Sequence, residues 1–244
     1  MDSLYIVMPA YNEEENIGDV IEEWYPIVER YSAGGESKLV IIDDGSKDRT
    51  YEVIRRYADS RPLLVPLTKM NEGHGATLLY GYHYALEHGA DYIFQTDSDG
   101  QTLPEEFEKF WEMRKESEVI IGDRNHREDG ISRIFVTKVL KAVIRIVFGV
   151  NIADVNTPYR LMKGDVLERY IVKVPEKFNL SNVFLSVLFV KGNERVTFLP
   201  ITFRKRQGGV NSINMKKIVK IGFHAVRDFY KLRRSMKSDI TRPV

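Results

Sequence analysis

The chain contains no cysteine, which excludes disulfides, thiolate nucleophiles and cysteine-ligated zinc. No apolar run approaches the ~20 residues that a membrane-spanning helix needs. The opening Met1-Asp2-Ser3-Leu4 lacks a basic stretch, so no signal peptide is expected and a cytoplasmic protein is. Internal repeats and low-complexity segments are also missing. The first strand-to-helix turn, Ala10-Tyr11-Asn12-Glu13-Glu14-Glu15, has no glycine and places three carboxylates where a phosphate-binding turn would present bare amides. A standard dinucleotide-binding fingerprint is therefore excluded, as is the glycine-rich, basic first turn of a nucleotidyltransferase. What remains is a globular composition, 43% hydrophobic and 29% charged, over 244 residues. That length suffices for one domain with a substantial core.

The net charge of +1 conceals a segregation of signs. Residues 1–50 hold twelve acids against four bases, whereas Arg204 to Lys237 hold eleven bases against the single acid Asp228. Such asymmetry points to a negative partner surface, membrane or phosphate. Between Ile131 and Val150 there are four bases (Arg133, Lys138, Lys141 and Arg145) and no acid. Lys138, Lys141 and Arg145 share one helical stripe. Near the C-terminus Ile218, Ile221, Ala225, Phe229 and Leu232 oppose Lys216, Lys220, His224, Arg227, Lys231 and Arg234. Both segments have the composition of helices in a membrane interface; each alone also suits an ordinary amphipathic helix with a solvated basic face. The C-terminal basic run contains no recognition module for nucleic acid, and no such partner is expected.

Leu4–Met8, Leu39–Ile42, Leu63–Val65, the run from Tyr92 and Val119–Gly122 are short apolar strands. Helices are expected after each of the first four: one capped by Asn12, one over 47–59, one ending near His88-Gly89 and one starting at Pro104. This alternation is the signature of a mostly parallel sheet covered on both faces, the Rossmann-like α/β class. Tyr92-Ile93-Phe94-Gln95-Thr96-Asp97-Ser98-Asp99-Gly100-Gln101 is the centre of the pattern. It delivers two carboxylates and an amide to the C-terminal end of a strand, where open α/β sheets bind ligands. An all-oxygen set suits Mg²⁺ or Mn²⁺ rather than zinc. Asp-Ser-Asp-Gly is equally ordinary turn chemistry.

These motifs, in order, are Pro9-Ala10-Tyr11-Asn12-Glu13, Asp43-Asp44-Gly45-Ser46, Asn71-Glu72-Gly73-His74-Gly75-Ala76 and Asp97-Ser98-Asp99-Gly100-Gln101. Gly122-Asp123-Arg124, Asp154-Val155-Asn156-Thr157-Pro158-Tyr159-Arg160 and Arg206-Gln207-Gly208-Gly209 follow. Together they resemble the family 2 nucleotide-sugar glycosyltransferases of the GT-A fold, and within them the polyprenyl- or dolichyl-phosphate sugar synthases. The resemblance spans about residues 4–212. It implies that Pro9, Tyr11, Glu13 and Asp44 contact the nucleoside and that Gly73 and Gly75 allow close approach of the donor. Asp43 is a base contact or a local cap, and His74 is incidental. By the same resemblance Asp99 and Gln101 hold Mg²⁺ or Mn²⁺, and Asp97 completes the coordination or orients the donor. Arg124, Arg204 and Arg206 grip diphosphate or acceptor, with Arg133 a weaker candidate. The implied catalytic set is Asp97, Asp99 and Arg206.

Relatives that glycosylate a hydroxyl need a general base after the Asp154 motif, yet residues 178–185 contain no carboxylate. A lipid phosphate arrives ionised and needs none. Asp154 and Glu176 remain as possible bases. The chain departs from the lipid-phosphate pattern in carrying Asn211-Ser212 after the arginine loop and Gly100-Gln101-Thr102 in the metal loop. The resulting expectation is one GT-A domain over residues 1–237, nucleotide-sugar-binding to 122 and acceptor-binding from 123, with a tail at 238–244. It would transfer a hexosyl group, with inversion, from a GDP- or UDP-linked sugar to a polyprenyl phosphate at the cytoplasmic membrane face. A saccharide hydroxyl as acceptor, and an inactive membrane-binding protein, are the rival expectations.

Overall fold

The computed structural model describes residues 2–32, 36–124 and 131–204, with residues 227, 229, 230 and 233 beyond them; within 131–148 side chains are described from Val139. Seven strands form one sheet: β1 (Leu4–Ala10), β2 (Lys38–Asp43), β3 (Leu64–Thr68), β4 (Tyr92–Gln95), β5 (Val119–Asp123), β6 (Arg160–Lys163) and β7 (Val196–Pro200). Their order is β3-β2-β1-β4-β6-β5-β7. β1 pairs in parallel with β2 and β4, β2 with β3, and β5 with β7; β6 runs antiparallel between β4 and β5. The sheet is thus mostly parallel, with strands from both sides of Gly122.

The apolar runs are continuous because both sheet faces are covered. Alternate residues of β1 divide between two cores. Tyr5 and Val7 join Leu78 and Tyr82 of α3 (His74–Glu87), Ile144 of α5 (Ile131–Phe148), Val166 of α6 (Gly164–Ile171) and Phe184 of α7 (Ser181–Lys191). Leu4, Ile6 and Met8 join Trp24 of α1 (Ile17–Arg30), Ile54 of α2 (Thr50–Ala58) and Phe107 and Phe110 of α4 (Phe107–Glu112). Phe94 on β4 lies 4.7 Å from the Tyr159 ring, 4.8 Å from Phe107 and 5.5 Å from Trp24. Each buried ring of this kind contributes about 1.5–3 kcal/mol, so the strand that ends in the carboxylates is anchored from below.

Several local expectations are corrected. The first strand, expected over Leu4–Met8, continues through Pro9 to Ala10. Asn12 caps no helix: its backbone is left-handed at φ 54°, its Oδ1 accepts from the Lys47 amide and its own amide donates to Ser46 Oγ. It ties the loop after β1 to the loop after β2, and α1 begins only at Ile17. The second helix starts at Thr50, because Ser46 folds back on Asp43 and Asp48 Oδ1 accepts from the Thr50 amide and hydroxyl. Strands β6 and β7 were not expected. The basic segment from Ile131 does form a helix, with Ile144, Val147 and Phe148 in the core and Val139 and Ile146 exposed. Phe229 is buried against Phe148 and Phe178, so part of the C-terminal apolar stripe faces protein. No helix among the described residues is long and apolar enough to cross a membrane.

Candidate active site

The strand directions bring the motifs among the described residues to one edge. Parallel strands β1, β2, β3 and β4 end there, antiparallel β6 starts there, and β5 and β7 end there. Residues 9–13, 43–46, 69–75, 97–101, Arg124, Asp154 and Arg204 therefore share the carboxyl edge that open α/β sheets use for ligands.

The loop after β4 is stapled on three sides. Thr96 and Thr102 hydroxyls meet at 2.7 Å, Ser98 Oγ donates to the Pro9 carbonyl at 2.9 Å, and Tyr159 donates to the Leu103 carbonyl at 2.9 Å. Gly100 turns at φ 69° and Asp99 Oδ1 accepts from the Gln101 amide at 3.2 Å. The turn chemistry and the carboxylate display thus coexist. Gln101 points its Nε2 at the Arg204 carbonyl, 2.9 Å away, while the Arg204 amide returns a bond to the Gln101 carbonyl at 2.8 Å. Asp97 Oδ1 lies 3.8 Å from His74 Nε2, so His74 stands beside the carboxylate loop.

Asp97, Asp99 and Gln101 offer only hard donors. Among the described residues no group of three or more His, Asp or Glu is placed to hold a metal ion by itself. Mg²⁺ or Mn²⁺ can bind through one or two carboxylates, with phosphate oxygens and water completing the shell. The donor set fits the expected ion.

On the nucleotide side, Tyr11 is 41% exposed, an aromatic face open to a ligand. Glu13 is buried, with Oε2 accepting from Asn16 Nδ2 at 2.6 Å and its amide donating to Thr50 Oγ1. Asp44 organises the next loop: Oδ1 accepts from Lys69 Nζ and the Glu72 amide, both at 3.0 Å, and Oδ2 accepts from the Gly73 amide at 2.9 Å. Lys177 and Lys69 in turn hold the Glu72 carboxyl below its ordinary value. Gly73 sits at φ 91°, in the region that favours glycine. Asp43 accepts from the Ser46 amide and the Thr68 hydroxyl, a local turn rather than a helix cap.

The arginines at this edge carry partners that the sequence did not reveal. Arg124 forks onto Asp154, Nε to Oδ2 at 2.7 Å and Nη2 to Oδ1 at 2.9 Å, and its guanidinium lies 5.1 Å from the Phe203 ring centre. Arg204 donates from Nη2 to Glu23 on α1 at 3.0 Å and to the Thr102 carbonyl at 3.1 Å. Arg206, Gly208, Gly209 and Ser212 lie outside the described residues, as do the side chains of Arg133 and Lys138 and the C-terminal basic stripe apart from Arg227. Sequence reasoning missed Thr96, Ser98, Thr102 and Glu23; small hydroxyls around the carboxylates were the available signal for the first three, and Glu23 had none.

Comparison with known proteins agrees with this geometry. Residues 5–171 match the family model described as glycosyl transferase family 2. The undecaprenyl-phosphate 4-deoxy-4-formamido-L-arabinose transferase of Edwardsiella ictaluri is 22% identical over 225 residues, 91% of this chain; the chain spans 66% of that relative's length. The polyprenol monophosphomannose synthase of Mycolicibacterium smegmatis is 26% identical over 222 residues, covering 87% of this chain and 82% of the relative. Among solved structures, glucosyl-3-phosphoglycerate synthase from Mycobacterium tuberculosis, crystallised with Mn²⁺ and UDP-glucose, superposes with a TM-score of 0.70 at 16% identity, over 95% of this chain and 79% of that one. The sheet is accordingly of the GT-A type. The family match, which covers well over half of the sequence, and the single edge on which the motifs converge establish that this chain belongs to glycosyltransferase family 2.

Proposed function

We propose that the protein transfers a hexosyl group from a nucleoside-diphosphate sugar to a polyprenyl phosphate, with inversion, at the cytoplasmic face of a membrane. The observation that carries this reading is the Arg124–Asp154 pair. A carboxylate whose two oxygens are both engaged by a bidentate guanidinium in a buried setting is already committed, and is not free to reach an acceptor hydroxyl. It is a poor general base. A phosphate monoester is already an anion and attacks without one. Two relatives named for polyprenyl-phosphate transfer, matching most of the chain, support the same acceptor.

In this reading Tyr11 packs on the base, Glu13 accepts from base or ribose, and Asp44 sets the loop that carries Gly73 against the donor. Mg²⁺ or Mn²⁺ held by Asp99 and Asp97, with Gln101 beside them, would supply Lewis-acid stabilisation of the departing diphosphate. The Gln101–Arg204 bonds fix the segment that leads to Arg206, which we assign to the diphosphate or the acceptor phosphate. The half from residue 123 onward would face the acceptor, with the basic helices toward anionic lipid.

A second reading has one observation in its favour. A cleft of about 240 Å³ between α3 and residues 174–177 is lined by Tyr80, His83 and Glu176. Exposed Glu176 there would suit a small hydroxyl acceptor. The deciding experiment offers the purified chain GDP- and UDP-sugars with Mn²⁺, then lipid phosphates and saccharides side by side. Lipid-phosphate turnover that is lost in Asp99→Ala and in EDTA is expected. Transfer to a saccharide alone, or full activity in EDTA, overturns the reading.

A further inference from the structure

Behind the site lies a buried cation that the assignments above do not use. Arg160 opens β6 with no exposed surface. Its Nη2 and Nε donate to the Thr157 carbonyl at 2.9 and 3.3 Å, and its Nη1 donates to the Asn182 carbonyl at 3.1 Å and Ser186 Oγ at 3.3 Å. All of these acceptors are neutral. Among the described residues no carboxylate hydrogen-bonds to this guanidinium. Arginine does not give up its proton inside proteins, so a full positive charge is held in the core, a costly arrangement unless something offsets it.

The surroundings are polar yet uncharged. Gln95, the register partner of Arg160 and the last residue of β4, is fully buried. Its Oε1 accepts from the Tyr82 hydroxyl at 2.8 Å, while its Nε2 and the buried Thr157 Oγ1 have no hydrogen-bond partner among the described residues. Burial drives the Tyr82 phenol upward, so it stays neutral. Beyond hydrogen-bond reach, the charges whose field acts on Arg160 include the anions Asp154 and Asp97, opposed by the cation Arg124. Asp97 lies two residues beyond Gln95, and Asp154 lies three before Thr157. Arg160 is therefore fixed beneath the floor of the cleft, between the strand that carries the carboxylates and the loop that carries Asp154. A charge fixed in a low-dielectric interior acts on the site with no reorganisation at the moment of reaction.

We infer that Arg160 is a positioning residue of the transferase site, a permanent buried cation whose charge holds the Asp97 and Asp154 loops in place and lends positive potential to the floor where the leaving diphosphate gathers charge. This rests on the transferase reading. The alternative is a structural tie between β6 and α7, for which the shape of the fork would matter and the charge would not.

Arg160→Lys keeps the charge and has three N–H groups for the same oxygens; Arg160→Gln removes the charge. Both are compared with wild type for melting temperature, for the thermal shift given by nucleoside diphosphate with Mn²⁺, and for kcat and KM at saturation. Measurements use whichever acceptor the wild type turns over. Arg160→Gln is expected to weaken the ligand-induced shift and lose at least tenfold in kcat, and Arg160→Lys to keep the shift and stay within about threefold of wild type in kcat. Wild-type kcat in Arg160→Gln, or equal loss in both variants, overturns the inference. If Arg160→Gln does not fold, Arg160→Lys decides alone: kcat within threefold supports the inference, and a tenfold loss in the folded protein refutes it. A wild type inactive on lipid phosphate but active on another acceptor would instead refute the acceptor assignment.

Discussion

Substituting the two members of the Arg124–Asp154 pair, singly and together, separates a latch from a general base. The two bonds measure 2.7 and 2.9 Å, and the side chains are only 8% and 6% exposed. Solvent screening is weak at such a site, so breaking the pair by removing one member costs about 3–5 kcal/mol. For a chain of this length each kcal/mol shifts Tm by about 2–4 °C. Arg124→Met and Asp154→Asn should therefore each lower Tm by roughly 6–20 °C. Asp154→Asn retains an oxygen for the Asn156 amide, which now donates to Oδ1 at 3.2 Å, so its loss reports mainly on the charge. The double variant Arg124→Met/Asp154→Asn removes both charges and should recover much of the loss, with a coupling energy of about 2 kcal/mol or more. Urea or thermal unfolding of the four proteins closes the cycle, and turnover is scored per folded molecule. If Asp154→Asn kept the wild-type Tm and lost activity by about 10²-fold or more, Asp154 would be the base, and the ionised-acceptor argument would fall. A coupling energy indistinguishable from zero would refute the latch itself.

Two further outcomes follow from close contacts. A Cβ at Gly75 would lie 2.1 Å from the Phe178 carbonyl oxygen and 2.8 Å from Asn179 Cα, both backbone atoms that cannot swing away. Gly75→Ala should cost at least about 1–3 kcal/mol and, by pushing the start of α3 off residues 178–179, weaken nucleotide binding; an unchanged Tm and an unchanged donor-induced shift would refute this. The Arg195 hydrogen bonds hold the Glu118 carboxyl at about 2 against an ordinary 4.5, with Lys163 adding to the shift. A depressed folded value means stability that is complete above pH 4.5 and disappears as pH falls through 2. Because Arg195 is 62% exposed, the contribution is discounted to about 1 kcal/mol. Glu118→Gln should be less stable than wild type by that amount at pH 7 and converge with it near pH 2; a gap that is constant across the range would refute the assignment.

Strands β1, β2 and β4 were legible because parallel strands covered on both faces are written as unbroken apolar runs. The motifs at 9–13, 43–46, 71–76, 97–101 and 122–124 were legible for the same reason, since each is the end or overhang of such a strand. β6 was not. Its four residues, Arg160-Leu161-Met162-Lys163, begin and end with a cation, and its antiparallel place between β4 and β5 is set by partners some 40 to 70 residues away. Asn12 misled because its usual role, capping, competes with a left-handed bridge that only the neighbouring loop can specify. The arginines show the deeper limit. Residue type announces a planar cation suited to phosphate, but not which cations the fold has already committed. Arg124 answers Asp154, 30 positions away, and Arg204 answers Glu23, 181 away. Arg160, quoted in a motif as one letter among seven, is the cation that the interior keeps without a carboxylate in contact. Charge at this edge is therefore divided into cations that brace the cleft from its walls and one that lies beneath its floor. Local sequence contains no signal for that division, because it is decided by pairings across the sheet.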